Sequence, residues 1–173
     1  MSDQLVLDLE NVERNAVISR NGRYRYEMTR RWGDGPLLEW VLLNPSKADT
    51  QVDDPSTRKC CQFASDWGFH GIRVTNLFAL RSPHPDRLLV ADDPVGPRNR
   101  RFLAIERGPL TVVGWGVHPV VALRAHAISA LARRSALMCL GYNHDGSPKH
   151  PLFLPRDAGL WPWPKPDPAE RRD

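Results

Sequence analysis

Three short polar clusters carry the side chains with which this chain could do chemistry: Asn44-Pro45-Ser46, Thr75-Asn76 and Lys149-His150-Pro151. Amides both donate and accept hydrogen bonds, and an imidazole exchanges a proton near neutral pH. Such a set suits recognition of a polar ligand with a proton donor at hand. The first cluster ends the apolar run Leu37 to Leu43. Pro45 cannot donate to a sheet ladder and turns Asn44 away from helix, so the strand is predicted to stop there and present Asn44 and Ser46 at its carboxyl end. In open parallel sheets that edge is where ligands bind.

Each of these residues also has a purely structural reading. Asn44 and Asn76 would brace loops at strand ends, and His150 before proline would fix a turn. His118, His126 and His144 lack a compact metal-ligand spacing and read as surface or core histidines. Asp53-Asp54 and Asp92-Asp93 would hold magnesium if they converged; taken separately, such pairs begin turns or cap helices. Cys60, Cys61 and Cys139 are odd in number, and adjacent cysteines cannot readily chelate one metal or bridge one another, so they read as reduced, semi-buried thiols. No metal and no cofactor is predicted. Trp32, Trp40, Trp67 and Trp115 read as core, although a tryptophan beside a glycine-ended strand, such as Trp115, could also stack on a base.

The elements that must position these residues follow from hydrophobic periodicity. A hairpin is predicted around Asn21-Gly22, with Tyr24, Tyr26 and Met28 on one face and arginines on the other. Buried strands are predicted over Leu37 to Leu43, Ile72 to Leu80, Leu110 to Gly116 and Leu137 to Gly141. Between them, a helix capped by Asp54 or Ser56 runs to about Trp67, a short one spans Asn99 to Arg107, and Pro119 opens another reaching about Arg134. The proline-rich connection from Arg81 to Pro97 is too broken to be regular. Strands alternating with helices imply a three-layer α/β/α domain with a central, mainly parallel four-stranded sheet plus an N-terminal β-hairpin. The fold would then bring the three polar clusters together at one edge.

The 173 residues suit one domain, predicted over residues 17–155, with a leader of 1–16 and a Pro/Trp-rich tail of 156–173. With 41% hydrophobic and 25% charged residues, the composition is that of an ordinary globular protein. The net charge of +4 rests mostly on arginine, which suits bidentate phosphate contacts but serves solubility as well. No signal peptide and no membrane-spanning run is read, so a cytoplasmic protein without a membrane partner is expected.

Leu43-Asn44-Pro45-Ser46, Asp54-Pro55-Ser56-Thr57-Arg58, Thr75-Asn76-Leu77-Phe78-Ala79, Asp93-Pro94-Val95-Gly96-Pro97 and Pro148-Lys149-His150-Pro151-Leu152, in that order, resemble the bacterial family filed as domain of unknown function 1643. A more distant likeness is to the uracil-DNA glycosylase superfamily, a parallel four-stranded α/β/α domain. Leu42-Leu43-Asn44-Pro45-Ser46 is similar to its first motif, Ile72 to Asn76 with Arg81-Ser82-Pro83 to its middle strand, Val112 to Gly116 to a later strand, and His150 to Leu154 to its closing His-Pro motif.

That likeness implies roles. Asn44 would position a water and His150 would donate to the base oxygen that becomes anionic. Asn76 would read a flipped base, with Pro45, Ser46, Phe78 and Trp115 around it. Leu154 would wedge into the vacated stack, and Arg58, Arg81 and Lys149 would meet phosphates. The leading expectation is a DNA base glycosylase acting on an uracil-like or modified base, with nucleic acid or a nucleotide as partner. A non-catalytic nucleic-acid or nucleotide binder on the same fold, and an enzyme of free nucleosides or nucleotides, are the alternatives. The sequence departs from the glycosylase pattern in lacking an aspartate in the first motif and in the acidic stretch Asp49, Asp53, Asp54, which is unwelcoming to DNA.

Overall fold

The computed structural model describes residues 11–46, 48 and 50–167. Four apolar segments form parallel neighbours: β3 (Leu38–Leu42) lies between β4 (Gly71–Asn76) and β5 (Leu110–Val113), and β6 (Leu137–Cys139) follows β5. Antiparallel strands extend both edges. The hairpin of β1 (Glu13–Ile18) and β2 (Arg25–Arg31) joins through β2 to β4, while β7 (Trp161–Pro162) pairs with β6. Among the described residues the result is one seven-stranded mixed sheet, ordered β1-β2-β4-β3-β5-β6-β7. The predicted four-stranded, mainly parallel sheet is therefore corrected. Met28 and Arg30 of β2 are completely buried, so the hairpin is part of the sheet and covers the β4 edge that four strands would leave open.

Helix α1 (Pro55–Asp66) packs on one face. Its Cys60, Phe63 and Ala64 meet Leu38, Trp40, Ile72 and Val74, inward residues alternating along β3 and β4. The start of α1 is sharp because Asp54 Oδ1 accepts from Thr57 N at 2.8 Å and Pro55 occupies the first turn. On the other face, α3 (Asn99–Ala104) and α4 (Ala125–Leu131) contribute Phe102, Leu103, Ala127 and Leu131, packed on Val41, Val113 and Trp115. The single-turn α2 (Arg87–Val90) interrupts the connection predicted to be irregular. The predicted helix from Pro119 to about Arg134 divides into a 3-10 helix, Pro119–Leu123, and α4.

One irregularity decides which side chains reach which face. Val17 pairs with Glu27 and Ile18 with Arg25, so Tyr26 is the extra residue of a β-bulge. The expected alternation, with Tyr24, Tyr26 and Met28 together, is broken: the tyrosines pack with Phe102 beneath α3, and Met28 lies in the α1 layer. Arg25, expected on the outer face, is buried and its Nη1 lies 3.6 Å from Met28 Sδ.

The final residues of the expected leader, Glu13 to Ala16, belong to β1, and residues 1–10 lie outside the described residues. The tail is docked as far as Trp163, whose ring meets Trp115 edge-on at 4.8 Å, and residues 168–173 lie outside the described residues. Among the described residues no helix is long and apolar enough to cross a membrane.

Candidate functional site

A cleft of about 570 Å³ opens at the carboxyl ends of β3, β4 and β5, beside the start of α1. Asn44, Ser46, Asn76, Trp115, Lys149 and His150 all line it, so the three polar clusters share one cavity. The cavity is the size of an ordinary small-ligand site.

Asn44 leaves β3 with its amide in a defined orientation. Nδ2 donates to the carbonyls of Ser82 at 2.9 Å and Pro45 at 3.1 Å, with Leu80 O at 3.4 Å. Three carbonyls require the nitrogen on their side, so Oδ1 is the atom left over, and it has no partner among the described residues. Here the sequence's departure from aspartate has a physical reason: a carboxylate would face three carbonyl oxygens without a donor.

Asn76 ends β4 and is 1% exposed. Arg25 Nη2 lies 3.4 Å from its Oδ1, which fixes the oxygen and leaves Nδ2 a buried donor without a partner among the described residues. A ligand that satisfied it would offer a carbonyl-like acceptor.

His150 caps the 3-10 helix Pro151–Phe153, its Nδ1 accepting from Leu152 N at 3.2 Å. That bond assigns the proton of the neutral ring to Nε2, which has no partner among the described residues. Burial holds its pKa below the ordinary 6.5, with the Asp54 carboxylate acting in the opposite direction, so the ring is a neutral donor at pH 7. Two glycines allow this segment to approach β5. A Cβ on Gly114 would lie 2.9 Å from Pro151 Cδ, and Gly116, at φ +73°, donates its N–H to Pro148 O.

Of the other predicted site residues, only Leu154 reaches the cleft. Phe78 is fully buried in the α4 layer, 5.4 Å from the ring of His126. Pro45 is buried beneath Asn44 and acts through its carbonyl. Arg81 reaches back to Gly22 O at 3.2 Å. Arg58 donates to Asp53 O and lines a separate groove with Lys59 and Leu152. Leu154 borders the cleft but packs into the α1 layer, whereas its neighbour Phe153 is 83% exposed at the lip. The exposed apolar group expected at position 154 is thus at 153.

Several lining residues were not predicted there: Arg25, Asp54, Ser56, Thr57, Val117, His118 and Asn143. The signal for His118 is a second His-Pro step after a glycine-ended strand, and it caps the following 3-10 helix as His150 does. Its Nε2 lies 3.0 Å from Asp86, so both ring nitrogens are engaged and the residue ties α2 to the cleft wall. Asp49, of the acidic stretch, lies outside the described residues. The thiols are remote from this chemistry: all three are buried, and burial pushes Cys60 well above its ordinary value and, with Asp53, Cys61 up to about 12.

No curated protein and no solved structure matches this chain. The family described as "protein of unknown function (DUF1643)" matches residues 25–152. That span holds every residue lining the cleft except Phe153 and Leu154. With most of its length and nearly all of its candidate site inside the match, the chain belongs to this family of unknown function, DUF1643.

Proposed function

We propose that this protein is a cytoplasmic, DNA-acting base glycosylase on an uracil-glycosylase-like fold, hydrolysing the N-glycosidic bond of an uracil-like or modified base. The observation that carries the reading is the arrangement of unpartnered atoms in one cleft: an acceptor on Asn44, a buried donor on Asn76 and the Nε2 proton of His150. Breaking the bond builds positive charge on the sugar and negative charge on the departing base. Asn44 Oδ1 orients the water, His150 Nε2–H stabilises the departing base and Asn76 Nδ2 meets a base carbonyl. The four parallel strands within the mixed sheet support the likeness of fold. Lys149 and the exposed rings and methyls of Phe153 and Val117 at the rim favour a polymer over a free nucleoside.

The test uses single- and double-stranded oligonucleotides carrying uracil, hypoxanthine, and alkylated or oxidised bases, with abasic sites revealed by alkali. The wild type is expected to release a base, and folded Asn44→Ala and His150→Ala proteins to lose about 100-fold or more of that rate. Binding without turnover would instead identify a nucleic-acid binder. Equal release from free nucleosides would identify a small-molecule enzyme, and neither cleavage nor binding across the panel would sink the nucleic-acid reading.

A further inference from the structure

We propose that Asp54 is the general base of this site, taking the proton from the water that Asn44 orients; the inference rests on the glycosylase reading. An amide can orient water but cannot accept its proton, so Asn44 leaves half of the hydrolysis unassigned. Among the described residues Asp54 is the sole carboxylate lining the cleft that holds Asn44, Asn76 and His150.

The two adjacent aspartates are used in opposite ways. Asp53 gives one oxygen to Arg14 at 2.7 Å and the other to Arg30 at 2.8 Å, and is consumed in holding the α1 entrance to the hairpin. Asp54 gives only Oδ1, to Thr57 N, and its second oxygen has no partner among the described residues. The cap bond and Pro55 pin the side chain, so the remaining oxygen is held in place by the fold. The charge of Asp54 also reaches His150, where it opposes the effect of burial. One cleft thus holds a neutral proton donor and an ionised acceptor, the pairing that acid-base hydrolysis uses.

The step balances with one water. The water oxygen bonds to C1′ of the sugar as the C1′–N bond breaks, its electron pair leaving with the base. The water proton passes to Asp54, and His150 Nε2–H hydrogen-bonds the anionic base. Asp54 then returns its proton to the departed base, giving a free hydroxyl on the sugar and a neutral base, with both side chains restored.

Asn and Ser cap helices about as well as Asp. Asp54→Asn and Asp54→Ser therefore separate the charge from the cap. Both are expected to melt within a few degrees of the wild type and to bind the substrate oligonucleotide within about threefold, while kcat falls about 100-fold or more. A second readout is the His150 ring followed by NMR. The charged or titratable groups lining the cleft with it are Arg25, Asp54, His118 and Lys149. Asp54 alone of these is anionic, so Asp54→Asn should move the titration of His150 to lower pH. Wild-type turnover with a folded Asp54→Asn protein that keeps kcat within about threefold, or whose His150 titration is unmoved, overturns the role of Asp54 and leaves the glycosylase reading standing. Absence of base release by the wild type from every oligonucleotide overturns both.

Discussion

Two polar regions sit on the same sheet and are built on opposite principles. Beneath α3 and α4, Glu39 accepts from Arg73 Nη1 at 2.8 Å, from Arg134 Nη1, and from the backbone N–H groups of Arg107 and Gly108. Arg73 is completely buried, and it also pairs with Glu27 and donates to the carbonyls of Phe102 and Ile105. Apart from Nη2 of Arg134, this network answers its polar groups internally. In the cleft, Asn44, Asp54, Asn76 and His150 each keep one polar atom without a partner among the described residues. Interior ionic groups that are saturated hold a fold in register, whereas polar groups left unanswered in a concavity are available to a ligand. That difference is what makes the cleft, rather than the more highly charged network, the candidate site.

The largest effect expected from this contrast is on Glu39. Glu39→Gln would leave Arg73 and Arg134 buried without their shared counter-charge, and should lower unfolding stability by about 3–5 kcal/mol. Acid should do the same to the wild type. Burial alone would raise the Glu39 pKa, but Arg73, Arg134 and the two backbone donors outweigh it, so the folded value lies below the ordinary 4.5. The corresponding stability is fully present above the unfolded value and is lost as pH falls through the folded one. Denaturant titrations at stepped pH measure both, and an unchanged midpoint in Glu39→Gln would dissolve the distinction between the regions.

Asn44 should be intermediate, because its two ends belong to different regions. Its Nδ2 is structural, tying Pro45, Leu80 and Ser82 together, so Asn44→Ala should cost about 1–2 kcal/mol. Asn44→Asp should cost more than Asn44→Ala, since it sets a carboxylate against those carbonyls. A more stable Asn44→Asp protein would show that the amide orientation is misassigned. Asn76→Ala removes a donor that the fold does not satisfy but also the acceptor facing Arg25 Nη2, so it should cost about 1 kcal/mol, and it should weaken ligand binding.

The legible parts of this arrangement were the local ones. Asn44 is legible because an apolar run broken by proline marks a strand end, and Asn76 and His150 because they fall near or just beyond the carboxyl ends of apolar runs, which converge in a parallel sheet. Arg25 carried no such mark. Its direction depends on the bulge at Tyr26, which is set by pairing across strands rather than by neighbours in sequence. Arg58, two residues beyond Ser56 on α1, lies about 200° around the helix and turns away from the cleft to a neighbouring groove. The glycosylase likeness sets Phe78 beside the base, but the strand ends at Asn76 and the chain then enters the α4 layer.

The smallest effect expected concerns the proton on His150. Burial depresses its pKa in the fold, so on acidification the unfolded chain takes up a proton first, near 6.5, while the folded ring remains neutral. The stability it contributes is therefore fully present above the unfolded value and is lost as pH falls through the folded one. Protonation would also abolish the Nδ1 acceptor for Leu152 N and loosen the 3-10 helix that carries Phe153. His150→Gln removes the titration, and its stability should lack the shallow decline seen in the wild type between neutrality and the acid range where Glu39 acts. Above pH 7 the two proteins should run parallel. Identical slopes through pH 6 would mean that the ring is not held neutral by the fold, and the cleft would then lose the donor that sets it apart from the saturated network.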